Sequence, residues 1–395
     1  MTVRSWSGGF SRWDVHTREV LHFDVLVVGA GPAGSATAIH LARAGASVLL
    51  ADRARFPRDK PCGGGVTGRA LRQVPCDIMP VVERVVHHFE LRLRHRRSFR
   101  RTSAEPLIVM TQRRRLDAYL AEQAADAGAT FRDGTRVEHV EIGPDGVSAT
   151  VGGESVTADI LVGADGANGI VAKAAGLDEG ILRGVALEGN IPWSLLDEER
   201  YASTAVIEIG APSGGYGWLF PKGDHANLGV GGWAEEGPNL REHLARLARA
   251  YDVDPDAIIE LRGHRLPMRR VGASTPASSR VVLVGDAAGL VDPLSGDGMY
   301  EAFVSARLAA GAIVAGDPTC YPTALARDLD SHARASWAAK RALDRHPAVC
   351  FWAARSPGVF GVVGGLLRGD IGHPDEAKGL ARPPLRLIAR VARRA

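Results

Sequence analysis

An α/β fold, α+β overall, is predicted by three features of this sequence. A strand, a glycine-rich turn, a helix and a second strand follow one another from Phe23, a second strand and glycine-rich turn lead into a helix near residue 286, and a strand-rich stretch lies between them. At 395 residues the chain is long enough for two or three lobes of roughly 150 residues each. Residues 23–75, 105–175 and 265–312 read as one discontinuous domain, 76–104 and 176–264 as an inserted β-sheet domain, 313–395 as a C-terminal helical region and 1–22 as an N-terminal extension.

Apolar residues make up 45% of the chain and charged residues 24%, the balance of a globular protein and not of a disordered or fibrous one. A formal charge of +3 is too small to imply a nucleic-acid partner. Cys62, Cys76, Cys320 and Cys350 are scattered without CxxC spacing, which argues against a zinc ribbon, an iron–sulfur cluster or a secreted disulfide scaffold. No metal is expected, and a cytoplasmic location fits best. No run of about 18 apolar residues suggests a membrane span, and the first 22 residues lack the apolar core of a secretory signal.

The first unit, FDVLVVGAGPAGSATAIHLARAGASVLLAD, carries Gly29, Gly31 and Gly34 in a GxGxxG pattern. The first glycine permits the tight turn, the second leaves room for a pyrophosphate, and the third lets helix and strand pack closely. Pro32 suits the first helical turn, where its missing N–H is no loss. The free N–H groups of the helix start favour an anion, and Asp52 at the end of the second strand can accept from a ribose diol. This context points to a dinucleotide but does not separate NAD from FAD.

Between residues 87 and 101 lie six arginines and three histidines against one acid, Glu90. Phe89, Leu91 and Leu93 alternate with Glu90, Arg92 and Arg94, so the segment reads as a half-buried strand with a basic outer face. That face is either solvated or holds phosphate groups. A helix follows at 113–127, and the apolar strand of ADILVGADGAN ends in a turn at Asp165 and Gly166. In the strand-rich portion Tyr216, Trp218 and Phe220 alternate with Gly217 and Leu219, which puts three rings on one face of a strand. Farther on, the buried strand 281–284 ends at Gly285 and Asp286, and a helix starts near Asp297. The C-terminus interleaves Arg382, Arg386, Arg390, Arg393 and Arg394 with apolar residues, a pattern suited either to an anionic bilayer surface or to a solvated helix.

Two glycine-rich turns in one chain suit a long cofactor held at both ends. GAGPAG, GADGAN and VGDAAGLVDPLSGDG resemble the three FAD fingerprints of glutathione-reductase-type, para-hydroxybenzoate-hydroxylase-like flavoproteins. FPRDKPCGGGVTGRAL and YGWLFPKGDHANLGVGG resemble the PCGGG and YxWxFP segments of the geranylgeranyl reductase family. The resemblance implies a Rossmann-like FAD-binding domain with an inserted substrate domain, and reduction of isolated C=C bonds in a prenyl chain. A flavin monooxygenase and a noncatalytic flavin-binding redox sensor are the rival readings.

By this resemblance the FAD contacts fall on Gly29, Gly31, Pro32, Ala33, Gly34, Asp52, Arg53, Cys62, Gly63, Gly64, Gly65, Arg113, Asp165, Gly285, Asp286, Pro293, Gly296, Gly298 and Met299. Asp286 would take ribityl hydroxyls, backbone at Gly296, Gly298 and Met299 would face the flavin pyrimidine edge, and the three glycines from Gly63 would pass close to the flavin ring. Tyr216, Trp218, Phe220 and Pro221 would form an aromatic wall for an alkene chain. Cys62, Tyr216 and Trp218 are the catalytic candidates: Tyr216 in a proton path, and Cys62 either as a redox or gating thiol or as packing. Electrons would come from NADPH or a reduced ferredoxin-type carrier, and the partners would be a prenylated small molecule or lipid and the membrane periphery.

Overall fold

The computed structural model describes residues 20–177, 182–269, 271, 276–371 and 373. The arginines from Arg382 onward and residues 1–19 lie outside them.

The first of three sheets is built by the two segments that open with glycine-rich turns. It contains β1 (Leu21–Val28), β2 (Val48–Ala51), β8 (Thr130–Arg132), β9 (Val137–Ile142), β10 (Val147–Val151), β11 (Glu154–Gly163) and β17 (Val281–Leu283). The order is β8-β2-β1-β11-β10-β9, with β17 on the C-terminal half of the β11 edge that carries β10 at its other end. The strands around β1 are parallel and buried on both sides, so Val25 to Val28 and Val48 to Ala51 read as unbroken apolar runs.

The helix α1 (Pro32–Arg43) follows β1 and packs against α3 (Arg113–Asp126) and α7 (Met299–Val314). Ile39 and Leu41 are fully buried there, each worth roughly 1.5–3 kcal/mol relative to exposure. The parallel arrangement brings the C-terminal ends of β1, β11 and β17, and the N-termini of α1 and α7, to one edge.

The second sheet has the order β16-β12-β15-β14-β13-β5-β6. Its strands are β5 (His88–Leu93), β6 (Arg97–Thr102), β12 (Leu182–Pro192), β13 (Thr204–Ile209), β14 (Tyr216–Pro221), β15 (His225–Trp233) and β16 (Ile259–Met268). One face packs on α6 (Leu240–Arg249) through Val206, Leu219, Leu228 and Leu247. The other turns toward the first sheet.

This two-sided cover overturns the expected basic outer face of β5. Glu90 is buried and pairs with Arg200, while Arg92 lies 3.5 Å from Glu208 and stacks over Tyr251 at 4.6 Å, beneath the end of α6. Alternation holds, but the polar side is packed, so these charges are matched to one another.

A third, small antiparallel sheet, β3 (Gly65–Thr67), β7 (Ile108–Met110) and β4 (Arg84–Val86), ties the lobes together. It pairs a strand expected in the inserted domain with two from the other, so the boundary falls inside a sheet. Short helices α2 (Gly68–Leu71), α4 (Val171–Ala174) and α5 (Glu198–Tyr201) fill connections. The described part of the C-terminal region is helical as expected: α8 (Tyr321–Arg345) packs on α7, α9 (Pro347–Ala354) on β5, and α10 (Pro357–Arg368) on α2.

Candidate active site

A cleft of about 1690 Å³ runs between the first and second sheets and under the C-terminal helices. Of the predicted residues, Gly29, Gly31, Pro32, Ala33, Asp52, Arg53, Cys62, Gly63, Gly64, Gly65, Arg113, Asp165, Tyr216, Trp218, Phe220, Asp286, Pro293, Gly296, Gly298 and Met299 line it. Gly34, Pro221 and Gly285 do not. In β14 the alternation that turns the three rings to the cleft turns Leu219 and Pro221 to the α6 side, so Pro221 is buried away from any substrate. Gly34 and Gly285 serve packing: a Cβ on Gly34 would lie 1.8 Å from Gly29 O, and one on Gly285 2.9 Å from Ala33 Cβ.

The end of the cleft at β1 suits a dinucleotide. Gly29 has φ +102°, and a Cβ there would meet Ala164 O at 2.4 Å, so the chain can turn only with glycine. Gly31 caps α1 with no side-chain hydrogen bond, leaving the helix start open to an anion. Asp52 is buried and accepts from Ala30 N at 2.8 Å and Ala54 N at 2.9 Å, which fixes its carboxylate at the cleft wall.

Arg113 is buried rather than an exposed helix charge. It holds Asp117 with two hydrogen bonds of 2.7 Å, and Arg58 takes the same carboxylate at 2.6 Å. Its Nη2 stands 3.6 Å from where a Gly31 Cβ would be. Arg58 also lies 3.8 Å from Asp52, so two guanidinium groups and two carboxylates form one network, with the Arg113 guanidinium beside the α1 N-terminus.

Asp165 is a turn residue more than a cofactor ligand. Its Oδ2 accepts from Ile170 N and Val171 N, capping α4, while its buried Oδ1 has no partner. A Cβ on Gly169 would overlap this carboxyl at 2.1 Å, which explains the glycine at that position.

At the other fingerprint Asp286 faces Lys60 Nζ at 3.3 Å and His264 Nε2 at 3.7 Å. Burial works to raise its pKa, but Lys60, His264 and Arg113 outweigh it and hold the carboxyl well below the usual range. Lys60 thus serves Asp286. In the next loop Asp292 Oδ1 gathers Leu294 N, Ser295 N and Ser295 Oγ. Of the backbone groups expected at the flavin edge, Gly296 N already donates to Asp292 O and Met299 N to Asp297 Oδ1. The cap itself is Gly298, without a side chain to fill the α7 start.

The triple glycine is shaped by protein neighbours as well as by an open wall. A Cβ on Gly63 would lie 2.7 Å from the Phe220 ring; one on Gly64, at φ +77°, would meet Thr111 O at 2.1 Å and Lys222 Nζ at 1.8 Å. Tyr216, Trp218 and Phe220 form a row with centroid separations of 5.8 and 6.3 Å. The Trp218 indole donates to Asn227 Oδ1 at 2.8 Å and lies flat over Gly229, where a Cβ would be 2.0 Å from the ring. Tyr216 donates its hydroxyl to Ser295 O, joining β14 to the loop before α7. Burial, with Asp297 and Asp292 nearby, pushes this phenol well above its usual pKa, and its hydroxyl clasps the loop before α7.

Sequence reasoning missed two ionisable groups of the inserted sheet, Glu188 and Lys222. Glu188 Oε1 accepts Cys62 N at 2.7 Å, and Lys222 Nζ donates to Thr111 O at 2.9 Å and reaches Cys62 O at 3.4 Å. Burial lifts the Glu188 carboxyl above its usual range and lowers the Lys222 ammonium below its own. Lys222 follows the YGWLFP string directly and Glu188 sits in the adjoining strand pair, but nothing local marks either as facing Cys62.

Residues 22–312 match the FAD binding domain family. The chain is 33% identical to the menaquinone reductase of Mycolicibacterium smegmatis over 78% of this chain and 80% of that one. It is 34% identical to the chloroplastic geranylgeranyl diphosphate reductase of Arabidopsis thaliana over 74% of this chain and 66% of that enzyme. A geranylgeranyl bacteriochlorophyll reductase-like protein of Thermoplasma acidophilum has the same fold, with a TM-score of 0.76 at 23% identity over 94% of this chain and 96% of the other. The open helix starts at Gly31 and Gly298, the glycine turns that admit no Cβ and the Arg113 guanidinium beside Gly31 fit the cofactor these likenesses imply. With its fingerprints joined in one cleft and its sequence shared with these reductases over most of its length, the chain belongs to the geranylgeranyl reductase family of FAD-dependent oxidoreductases.

Proposed function

We propose that this protein reduces isolated C=C bonds in the prenyl chain of a lipid or quinone-type substrate. The observation that carries the reading is the continuity of the cleft: past the Cys62–Gly65 bend and the aromatic row it becomes apolar, walled by Leu91, Ile207, Val359, Val363 and Leu366. Menaquinone and geranylgeranyl diphosphate, named for the relatives, differ in their head groups and share a polyprenyl tail. An apolar arm reads the shared part.

FAD, when bound and reduced, supplies a hydride. The rest falls to the chain. The α1 start and Arg113 would hold the pyrophosphate, Asp52 would accept from the ribose diol and Asp286 would take ribityl hydroxyls. The rings of Tyr216, Trp218 and Phe220 exclude water and hold the alkene flat, and their π faces favour positive charge developing on carbon. Glu188 carries the proton: burial raises its pKa, so the carboxyl stays protonated to higher pH than an ordinary glutamate, and Lys222 shares the environment. Electrons reach the flavin from NADPH or from a reduced ferredoxin-type carrier.

The test is anaerobic turnover of FAD-loaded protein, reduced with dithionite, on geranylgeranyl diphosphate and on menaquinone. After air reoxidation of any quinol, mass spectrometry is expected to find product heavier by the mass of two hydrogens. Unchanged substrate in both, or an oxygenated product in air, overturns the reading.

A further inference from the structure

The arginines of the hairpin of β5 and β6 are not used by the chemistry above, and its far edge meets the C-terminal helices. Along β6 the side chains of Arg97, Phe99 and Arg101 share one face. Phe99 packs on Phe351 with ring centroids 5.3 Å apart, Arg97 stands 5.6 Å over the Trp352 ring, and Arg101 Nη2 donates to Arg355 O at 2.5 Å. Arg355 covers Trp352 from its own helix at 4.9 Å. Trp352 is nevertheless 50% exposed. Among the described residues no carboxylate lies within ion-pair distance of Arg97, Arg101 or Arg355. An exposed indole held between unneutralised guanidinium groups is therefore left at this corner.

The helices behind it are apolar. No single described helix is long and apolar enough to cross a membrane, but α9 and α10 are so together, and they are bent by 92°. That elbow packs on β5 and α2, and its inner side, Ala354, Val359, Val363, Leu366 and Leu367, lines the apolar arm of the cleft. The charged and aromatic corner and the apolar arm are thus two sides of one thin layer of helix.

We propose that Trp352, with Arg97, Arg101 and Arg355, is the surface by which this protein docks on an anionic lipid bilayer, so that prenyl chains enter the cleft past the α9–α10 elbow. The geometry stands by itself; the use of the surface rests on the prenyl reading. A bilayer fits because it offers both needs of the corner at one depth: negative head groups for the guanidinium groups and an interfacial layer for the indole. An acidic protein would match the charges but leaves the tryptophan and the adjoining apolar arm without purpose.

The experiment is flotation of FAD-loaded protein with phosphatidylcholine vesicles, alone or carrying about 30 mol % phosphatidylglycerol. The unmodified chain is expected to float with the anionic vesicles and not with the neutral ones. A Trp352→Ser, Arg97→Glu, Arg355→Glu variant is expected to bind at least about tenfold less, while keeping its flavin and its rate on detergent-dispersed substrate. The variant Arg97→Lys with Arg355→Lys, and a chain ending at residue 380, are expected to bind as before. Equal flotation of the triple variant, no flotation of the parent, or binding lost only with residues 381–395 overturns the proposal. If instead neither parent nor variant reduces the dispersed substrate but flotation behaves as stated, the prenyl reading fails and the docking surface stands.

Discussion

Glu188 accepts the amide N–H of Cys62 at 2.7 Å, so a carboxyl from the inserted sheet fixes the first residue of the bend that leads into the triple glycine. Lys222 reaches the carbonyl of the same residue. The bend is thus held by the inserted lobe, and the chemistry of the cleft is exposed to whatever changes the charge of that carboxyl.

Replacing Glu188 by Gln keeps an acceptor for Cys62 N–H and removes the proton. We expect retained flavin and a turnover lower by about 10²-fold, the low end for general-acid catalysis. The sign with pH follows from the raised pKa: the active form is protonated, so the parent loses activity as pH rises through the shifted value. Glu188→Gln should lack that limb. Steady-state rates across pH check it, and an unchanged limb assigns the proton elsewhere.

Gly29 and Gly31 should fail in different ways. Alanine at Gly29 combines a positive φ, worth about 1–3 kcal/mol of strain, with overlap on Ala164 O, so Gly29→Ala is expected to melt far below the parent. Alanine at Gly31, at φ −77° and with its nearest neighbour at 3.6 Å, is expected to fold normally and to be purified colourless. Thermal melting and flavin absorbance separate the two.

Much of this was legible beforehand. The βαβ unit, the strand into Asp286, the start of α3 and the row of rings follow from periodicity and turn chemistry, which are local. What failed was contact between distant segments. Alternation predicted Arg92 and Glu90 on one face but not that α6 would cover it, and the same alternation, pursued one residue further, would have turned Pro221 away from the cleft. Glu188 at Cys62, Lys60 at Asp286 and the Tyr216 clasp on Ser295 each join residues separated by dozens to hundreds of positions, for which spacing carries no signal.

The ion pairs at Asp286 set an acid limit on stability. Its carboxyl is held below the unfolded value of about 3.9, so its contribution is present above that pH and is lost as pH falls toward the folded value. Asp286→Asn removes the titration and leaves Lys60 and His264 without their anion. The parent is expected to melt higher than Asp286→Asn at pH 7, with the gap narrowing below about pH 4. A constant gap from neutral to acid pH would mean that the pairs contribute nothing to the fold.

Asp117 presents the opposite balance, because its carboxylate is fully buried with Arg113 on one side and Arg58 on the other. Desolvating these charges costs energy that the three short hydrogen bonds return, and removing one partner alone leaves a buried cation uncompensated, at about 3–5 kcal/mol. Asp117→Asn is expected to lose close to that amount by chemical denaturation. Arg113→Leu with Asp117→Leu removes that buried pair and fills its volume, and Arg58 keeps Asp52 at 3.8 Å, so the double variant should recover most of the stability. It should not recover flavin binding, since the guanidinium beside Gly31 has gone with Arg113. If the double variant binds flavin as the parent does, Arg113 holds only the fold and the cofactor is anchored without it.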